Sequence, residues 1–236
     1  LKSCMILGLP GAGLALAAYI LTDNLSTAMI ILGITVGMVF VAHPDMRPFI
    51  AVAAAGVILI VIGVLFLVAT TKNSDSFRVM RVLVWLQPEK YSDEGGYQTL
   101  QALYAIGSGG LTGKGLGQSV QKLGYIPEAQ NDMIFSIICE ELGLFGGIAV
   151  ILLFLMMIWR LLVIANNAED LYGSMIVIGA MAHISIQVVL NIAVVTNVLP
   201  NTGITLPFIS YGGTSILFLM MEMGLVLAVS KQIKME

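Results

Sequence analysis

Charge is scarce in this chain: Asp, Glu, Lys and Arg make up 11% of its 236 residues, less than half of the share of about 25% that is usual in soluble proteins. Hydrophobic residues make up 58%, and the mean hydropathy is +0.96. The formal net charge is −3, so the chain has no excess of positive charge with which to bind nucleic acid. This composition predicts an integral membrane protein.

Cysteine and histidine are also scarce. The two cysteines, Cys4 and Cys139, lie in or beside apolar runs and provide no disulfide framework. His183 has no Cys, Asp or Glu at ligand spacing, so the sequence indicates no metal site. No signal-peptide pattern is visible, and because the chain begins with Leu1 in an apolar context, we expect the start of a longer protein to precede it.

Long apolar runs, in contrast, are abundant. Six of them are long enough to cross about 30 Å of hydrocarbon, which takes roughly 20 residues. They are residues 5–21, 25–42, 49–69, 144–165, 171–198 and 210–229. We therefore predict an all-α polytopic membrane protein that forms one membrane domain, residues 1–236. It has three N-terminal spans (1–69), a long outer-face loop (70–132) and three C-terminal spans (133–236).

Basic residues in the short loops predict the orientation. With six spans, five of them fall on one side, which is therefore cytoplasmic: Lys2, Arg47, Arg160, Lys231 and Lys234. The outer side receives the turn at Asp23, the long loop and the loop at 197–210. Within the long loop, residues 97–106 are a candidate amphipathic helix at the outer interface.

Residues 199–213, called here the Pro/Gly loop, contain two prolines and three glycines between two apolar runs. This density of helix breakers predicts a structured, re-entrant-like loop on the outer face that can sit beside Asp132. Ser210 and Tyr211 are its candidate polar contacts with a substrate.

Asp132 follows a glycine-rich stretch and directly precedes an apolar run. Position alone leaves two compatible roles open. The pair Asn131 and Asp132 suits the N-terminal cap of a helix, and a carboxylate at a boundary between water and membrane is also a candidate functional group.

The apolar run at 133–165 is longer than a bilayer requires, and we expect Gly143 and two later glycines to divide it. This places Glu140 and Glu141 near the outer boundary. They either contact a substrate or form ion pairs with Arg78, Arg81 or a lysine and so pin the loop.

A polar stripe follows one face of the next span, where His183, Gln187 and Asn191 recur every four residues. It either forms hydrogen bonds between helices or lines a polar cavity. Glu222 in the last span either makes a structural hydrogen bond or has a functional role.

The glycines at 107–117 are not a phosphate loop, because Gly115 follows Lys114 where Ser or Thr is needed, Ser108 breaks the spacing, and no strand precedes them. They either pack closely in a flexible surface loop or contact the substrate through the backbone.

Longer motifs carry a resemblance to a known family. They are Asn201-Thr202-Gly203-Ile204-Thr205-Leu206-Pro207-Phe208-Ile209-Ser210-Tyr211-Gly212-Gly213-Thr214-Ser215, Gly96-Tyr97-Gln98, the glycines at 107–117, Gln121-Lys122, Tyr125-Ile126-Pro127-Glu128-Ala129, Asp132 and Glu140-Glu141-Leu142-Gly143. With these the chain resembles the SEDS family of peptidoglycan polymerases, and its cell-division and sporulation branch, FtsW and SpoVE, more than its elongation branch, RodA. The resemblance covers essentially the whole chain, aligned to the last six of ten spans. Asn131, usually threonine, and residues 22–27 depart from the pattern.

The resemblance implies polymerisation of lipid II into glycan strands on the outer face of the bacterial cytoplasmic membrane. A class B penicillin-binding protein would be the transpeptidase partner, beside other divisome membrane proteins. The acceptor hydroxyl displaces undecaprenyl diphosphate with inversion, which needs one general base and no protein nucleophile. The family places that base at the position of Asp132.

The departing diphosphate needs positive charge, for which Lys122 is the first candidate, followed by Lys114, Arg78 and Arg81 or by a divalent cation. A lipid II flippase or another transporter of lipid-linked substrates is the alternative function, because broken helices and a polar stripe also permit transport. Polymerisation is favoured because the ionisable residues concentrate in the outer loop.

Overall fold

The computed structural model describes residues 2–42 and 77–233, and these residues form seven α-helices and no strand. The helices are α1 (Lys2–Thr22), α2 (Leu25–Ala42), α3 (Phe77–Leu86), α4 (Gly96–Gly109), α5 (Ile134–Asn167), α6 (Leu171–Val195) and α7 (Gly213–Gln232). Two single turns of 3₁₀-helix, Ser92–Glu94 and Gln121–Leu123, lie in the connections. The all-α prediction is confirmed.

Helices α5, α6 and α7 are long and apolar enough to cross a membrane, and α1 and α2 contribute shorter apolar stretches at Gly8–Thr22 and Leu25–Val41. Each matches one of the predicted spans. The remaining predicted span, 49–69, lies outside the described residues. Large apolar side chains on α5 and α7, such as Leu153 and Phe218, are exposed, as expected of surfaces that meet lipid.

Helix α6 occupies the centre of the bundle, because it packs against α2, α5 and α7. Its apolar side chains Val177, Ile184 and Val188 are buried in a core shared with Leu161 of α5 and Val226 of α7. Helices α1 and α2 form a hairpin around the turn at residues 23 and 24. Helix α6 is therefore enclosed by α2, α5 and α7.

Helix α5 breaks at Gly143, whose φ of 67° and ψ of −166° are outside the helical range and are accessible to glycine but to few other residues. The break leaves backbone groups without partners in the helix. The segment after α4 supplies them, since the amide of Leu144 donates to the Gly110 carbonyl at 2.9 Å and that of Phe145 donates to the Leu111 carbonyl at 3.3 Å. The predicted division of this run is confirmed at Gly143, whereas Gly146 and Gly147, the two later glycines, lie within the helix.

Helix α4 contains the predicted amphipathic helix, 97–106. It packs on α5 through a face of small residues, which includes Ala102, Ala105 and Gly109. A Cβ atom at Gly109 would meet the carbonyl of Cys139, so the glycine permits the close approach of the two helices.

Both helices that flank the Pro/Gly loop are shorter than the apolar runs suggest. Helix α6 ends at Val195, three residues before the predicted end, and the backbone at Asn197 has φ 57°. Helix α7 begins at Gly213, because Ser210 and Tyr211 belong to the Pro/Gly loop and not to the helix.

Candidate functional site

Asp132 lies in the connection between α4 and α5 and does not cap a helix. Helix α5 begins at Ile134 with Met133 as its N-cap residue, whose side chain makes no capping hydrogen bond. The capping interpretation is therefore wrong, because the helix starts one residue later than that role requires. One carboxylate oxygen of Asp132, Oδ1, is buried and has no hydrogen-bond partner within the described residues.

Burial raises the pKa of the Asp132 carboxyl above its ordinary value. The backbone amide of Asp132 opposes this rise, the nearby charge of Glu128 adds to it, and the charge of Arg81 on α3 lowers it again. The net direction is upward. A carboxylate with a raised pKa is a stronger base, as a group that accepts a proton from a hydroxyl must be.

The backbone around Asp132 is held by three hydrogen bonds from α6 and the Pro/Gly loop. Each of three consecutive carbonyls accepts one: Gln130 from the amide of Tyr211 at 2.8 Å, Asn131 from Ser210 Oγ at 2.6 Å, and Asp132 from Asn191 Nδ2 at 2.7 Å. The Pro/Gly loop is therefore beside Asp132, as predicted. The four-residue spacing predicts the place of Asn191 on a polar stripe of α6, but no local pattern connects this residue with Asp132.

The Pro/Gly loop is itself internally bonded. The hydroxyl of Ser210 accepts from the amide of Leu206 at 2.7 Å, and the amide of Ser210 donates to the Leu206 carbonyl at 3.0 Å. Asn191 also donates to the carbonyl of Ile204 at 2.7 Å. Phe208 has φ 64°, an uncommon conformation for a bulky residue, which these bonds help to maintain.

Gln98 on α4 joins two segments of the site. Its amide nitrogen donates to the carbonyl of Pro127 at 3.0 Å, and its amide oxygen accepts from Asn201 of the Pro/Gly loop at 3.0 Å. At the same end of the molecule, Ser26 donates to the carbonyl of Thr202 at 3.1 Å. The turn at 23–24, the long loop and the Pro/Gly loop thus lie at one end of the bundle, as the predicted topology requires.

Glu140 is completely buried and is the centre of a second cluster. It accepts from Lys114 Nζ at 2.6 Å and from Ser119 Oγ at 2.5 Å, and from the backbone amides of Val120 and Gln121 at 3.3 Å each. A buried charge of this kind is tolerated because it is paired and hydrogen-bonded. No motif or spacing in the sequence indicates Ser119.

Glu141 anchors the same loop closer to solvent. Lys122 Nζ lies 2.6 Å from its Oε1, and the amide of Gly117 donates to Oε2 at 3.0 Å. Ion pairing with lysines that pins the loop is thus the arrangement that the structure shows for Glu141 and for Glu140. Neither Arg78 nor Arg81 is the partner in the ion pairs described for these two carboxylates.

The glycine-rich segment packs directly on the break in α5. Gly113 has φ 79°, and a Cβ atom there would meet the carbonyl of Glu141. The amides of Lys114 and Gly115 donate to the carbonyls of Glu140 at 3.0 Å and Glu141 at 2.9 Å. Close packing therefore accounts for Gly113.

The other predicted contact residues differ in their surroundings. Tyr211 is 73% exposed, whereas Ser210 is 6% exposed and uses its hydroxyl for hydrogen bonds inside the protein. Arg81 is near enough to Asp132 to affect its pKa. Arg78 belongs to the first turn of α3, but its side chain lies outside the described part of the chain.

The polar stripe of α6 has two parts. His183 Nδ1 lies 2.9 Å from Glu222 Oε2 of α7, so the structural hydrogen bond expected for Glu222 is confirmed. Together with Gln187 they line one side of a cavity of about 450 Å³ between α2, α6 and α7. Asn191, one turn further along α6, instead bonds the backbone at Asp132. Asp132 is not among the residues that line this cavity.

The fold and the site define a multi-pass α-helical membrane protein with a half-buried carboxylate, Asp132, between a broken helix and a Pro/Gly loop. The chain belongs to the FtsW/RodA/SpoVE family: the family model, described as that of cell cycle proteins, matches residues 2–235.

Curated relatives support this assignment. The chain is 41% identical over 225 residues to stage V sporulation protein E of Bacillus subtilis, and the match covers 94% of the chain and 59% of that protein. It is 36% identical over 231 residues to a probable peptidoglycan glycosyltransferase FtsW of Idiomarina loihiensis, with 96% and 54% covered. The chain thus spans a little more than half of the length of these relatives.

Two solved structures share the fold. One belongs to a peptidoglycan synthase complex in which polymerization and crosslinking are coordinated, with a TM-score of 0.69, 26% identity, and 96% of this chain and 62% of that chain covered. The other is a mutant of the rod shape determining protein RodA of Thermus thermophilus, with a TM-score of 0.59, 23% identity, and 98% and 57% covered. At this identity the RodA structure supports the fold alone.

Proposed function

We propose that the chain carries the catalytic centre of an inverting peptidoglycan glycosyltransferase that polymerises lipid II in cell division or sporulation. The observation that carries this proposal is the state of Asp132, a half-buried carboxylate with a raised pKa and one oxygen that has no partner within the described residues. The names of the relatives support the reaction class, and Asp132 is among the residues that carry the resemblance to the family.

Asp132 is the general base in this mechanism. The 4-hydroxyl of the acceptor sugar gives its proton to the carboxylate as the oxygen attacks the anomeric carbon of the growing strand. The bond from that carbon to undecaprenyl diphosphate breaks, and the configuration inverts. Because the diphosphate leaves as a stable anion, one base suffices and no acid has to protonate the leaving group.

Basic side chains stabilise the departing diphosphate. Lys122 remains the first candidate, because its ion pair with Glu141 is close to solvent and its ammonium group can change partner at small cost. Lys114 is bound to the completely buried Glu140, so its release would leave a buried charge unpaired. Arg81 contributes positive charge near Asp132, and Arg78 shares its helix.

The remaining candidate residues either contact the substrate or stabilise the structure around the site. Tyr211 is the exposed candidate for contact with the substrate. Ser210, Glu140 and Glu141 are engaged in hydrogen bonds within the protein and act as support. Within the described residues, no group of three or more His, Cys, Asp and Glu side chains could hold a metal ion, and the basic side chains are the groups proposed to stabilise the diphosphate.

We place the protein in the bacterial cytoplasmic membrane, with Asp132 facing outside, because lipid II is polymerised where the new wall is built. A class B penicillin-binding protein is the expected partner, beside other divisome proteins. The similarity to a chain of a peptidoglycan synthase complex supports this partnership.

A lipid II flippase is the second candidate function. The observation in its favour is the cavity of about 450 Å³ between α2, α6 and α7, whose wall carries His183, Gln187 and Glu222. Transport requires polar groups along a path through the bilayer. In that case the cavity residues, and not Asp132, would limit the rate.

Purified protein tests the proposal. The chain, reconstituted in liposomes with lipid II and a class B penicillin-binding protein, should produce glycan strands that a gel resolves as a ladder. A transpeptidase-inactive partner keeps the strands uncrosslinked. Movement of fluorescent lipid II between leaflets without any ladder would favour the flippase instead.

A further inference from the structure

Each of the three consecutive backbone carbonyls of residues 130–132 accepts a hydrogen bond from a distant part of the chain. Three consecutive acceptors all point to α6 and the Pro/Gly loop, at distances of 2.6 to 2.8 Å. These residues precede α5 and belong to no helix. The restraint on Asp132 therefore comes from elements that are distant in the sequence.

Two side chains provide the restraint and are themselves fixed. Asn191 is completely buried on the central helix α6, and its one amide nitrogen bonds both the Asp132 carbonyl and the Ile204 carbonyl. Ser210 donates to the Asn131 carbonyl while its oxygen accepts from the amide of Leu206. Each side chain thus ties the backbone at Asp132 to the Pro/Gly loop.

We propose that Asn191 and Ser210 are positioning residues, which hold the backbone of Asp132 and the Pro/Gly loop as one unit and so aim the carboxylate at the acceptor hydroxyl. This inference rests on the proposed function. A base must lie within hydrogen-bond reach of the proton that it removes, and a misplacement of 1 Å in such a geometry can lower the rate about 10²-fold.

The orientation of the carboxylate explains why a backbone restraint is needed. Asp132 Oδ1 has no hydrogen-bond partner among the described residues, so no side-chain bond to that oxygen fixes the carboxylate. Bonds to the backbone carbonyls of residues 130–132 fix the residue without engaging the carboxylate itself.

Ser210→Ala tests the proposal, with Ser185→Ala as the matched control. Both changes remove one hydroxyl from a partly or wholly buried serine, but Ser185 bonds only the Met181 carbonyl of its own helix. We expect Ser210→Ala to lower kcat about 10²-fold with little change in KM. Ser185→Ala should keep both constants, and Ser210→Thr, which retains the hydroxyl, should restore most of the lost kcat.

Asn191→Leu is the second variant, since it keeps the approximate size of the side chain and removes the donor. It should lower kcat in the same way, with lipid II binding preserved. An ordinary kcat in both Ser210→Ala and Asn191→Leu would overturn the proposal. So would a loss in Ser210→Ala that Ser210→Thr does not restore, since the hydroxyl would then not be the cause.

Hydrogen–deuterium exchange separates this inference from the proposed function. Two amides should exchange faster in Ser210→Ala. The amide of Leu206 loses its acceptor, the Ser210 hydroxyl. The amide of Tyr211 donates to the carbonyl of Gln130, in the segment that Ser210 no longer restrains. If the unmodified chain makes no glycan and these amides respond, the proposed function fails and the restraint stands. If they exchange at the same rate as in Ser185→Ala, the restraint is refuted whatever the activity.

Discussion

Asp132 combines two properties that oppose each other in an ordinary folded protein. Burial disfavours its charged form, yet a general base has to be charged at the working pH. The folded protein therefore carries a cost in stability at neutral pH, which is typical of functional carboxylates. That cost is measurable.

Melting temperatures measured over a range of pH should reveal the loss of stability that the charged Asp132 causes. The folded state binds a proton at Asp132 more tightly than the unfolded state, whose pKa is near 3.8. The stability from this group is thus fully present below that value and is lost as pH rises through the raised folded pKa. Asp132→Asn, which cannot ionise, should therefore melt higher than the unmodified protein at about pH 8.

The difference between the two melting temperatures should shrink toward zero as the pH falls below the ordinary value of 3.8, because Asp132 is then protonated in both the folded and the unfolded state. Asp170→Asn is the control. Its carboxylate caps α6 by accepting from the amide of Gly173 at 2.8 Å, and Asn caps nearly as well. If the difference in melting temperature between Asp132→Asn and the unmodified protein does not change with pH, the raised pKa of Asp132 is contradicted.

At the scale of single elements, the break in α5 organises the site. It allows one helix to cross the bundle and still present Glu140 and Glu141 to the glycine-rich segment before Asp132. The carbonyls and amides released at Gly143 are bonded by residues 110–115. The broken helix and the loop thus form one structural unit.

Gly143→Ala should disrupt this unit. Alanine is strained at φ 67° and ψ −166°, and its Cβ atom would meet the amide of Gly113 and the carbonyl of Leu111. We expect a loss of about 1–3 kcal/mol from backbone strain alone, measured as a lower melting temperature. Gly224→Ala on α7 is the control, since a Cβ atom there meets nothing within 4 Å, and it should stabilise slightly. Equal melting temperatures for the two variants would refute the strained break.

The sequence could predict the features that depend on local signals, but not the contacts between residues that are distant in the chain. Apolar length and glycine position were sufficient for α5, α6, α7 and the break at Gly143, because both signals are local. The start of α5 was misjudged by one residue, which gave Asp132 a capping role that it does not have. The bonds from Asn191 and Ser210 join residues 59 and 79 positions apart, and no local pattern encodes such a contact.

At the scale of the whole molecule, the site lies at one end of the bundle. Hydrogen bonds join the Pro/Gly loop to α2, α4 and the segment before α5 at that end. Basic residues in the short loops predict that this end faces outward. Orientation in the membrane remains a prediction, and it decides whether Asp132 can meet lipid II outside.

Cysteine labelling measures the orientation. Leu116 is exposed in the glycine-rich segment, and Lys231 is exposed near the end of α7. In intact spheroplasts an impermeant thiol reagent should label Leu116→Cys at once, whereas Lys231→Cys should react only after the membrane is permeabilised. The unmodified protein, whose Cys139 is buried, gives the background. The reverse order of labelling would overturn the topology.

The most direct test of the account is glycan synthesis by Asp132→Asn, measured beside lipid II binding and melting temperature. The asparagine is close to isosteric but cannot accept the proton, and removal of a general base typically lowers a rate about 10² to 10⁴-fold. We predict that strand synthesis falls by that factor while lipid II binding and folding persist, and that the control Asp170→Asn polymerises normally. Ordinary synthesis by a folded Asp132→Asn protein would contradict the central claim that Asp132 is the base.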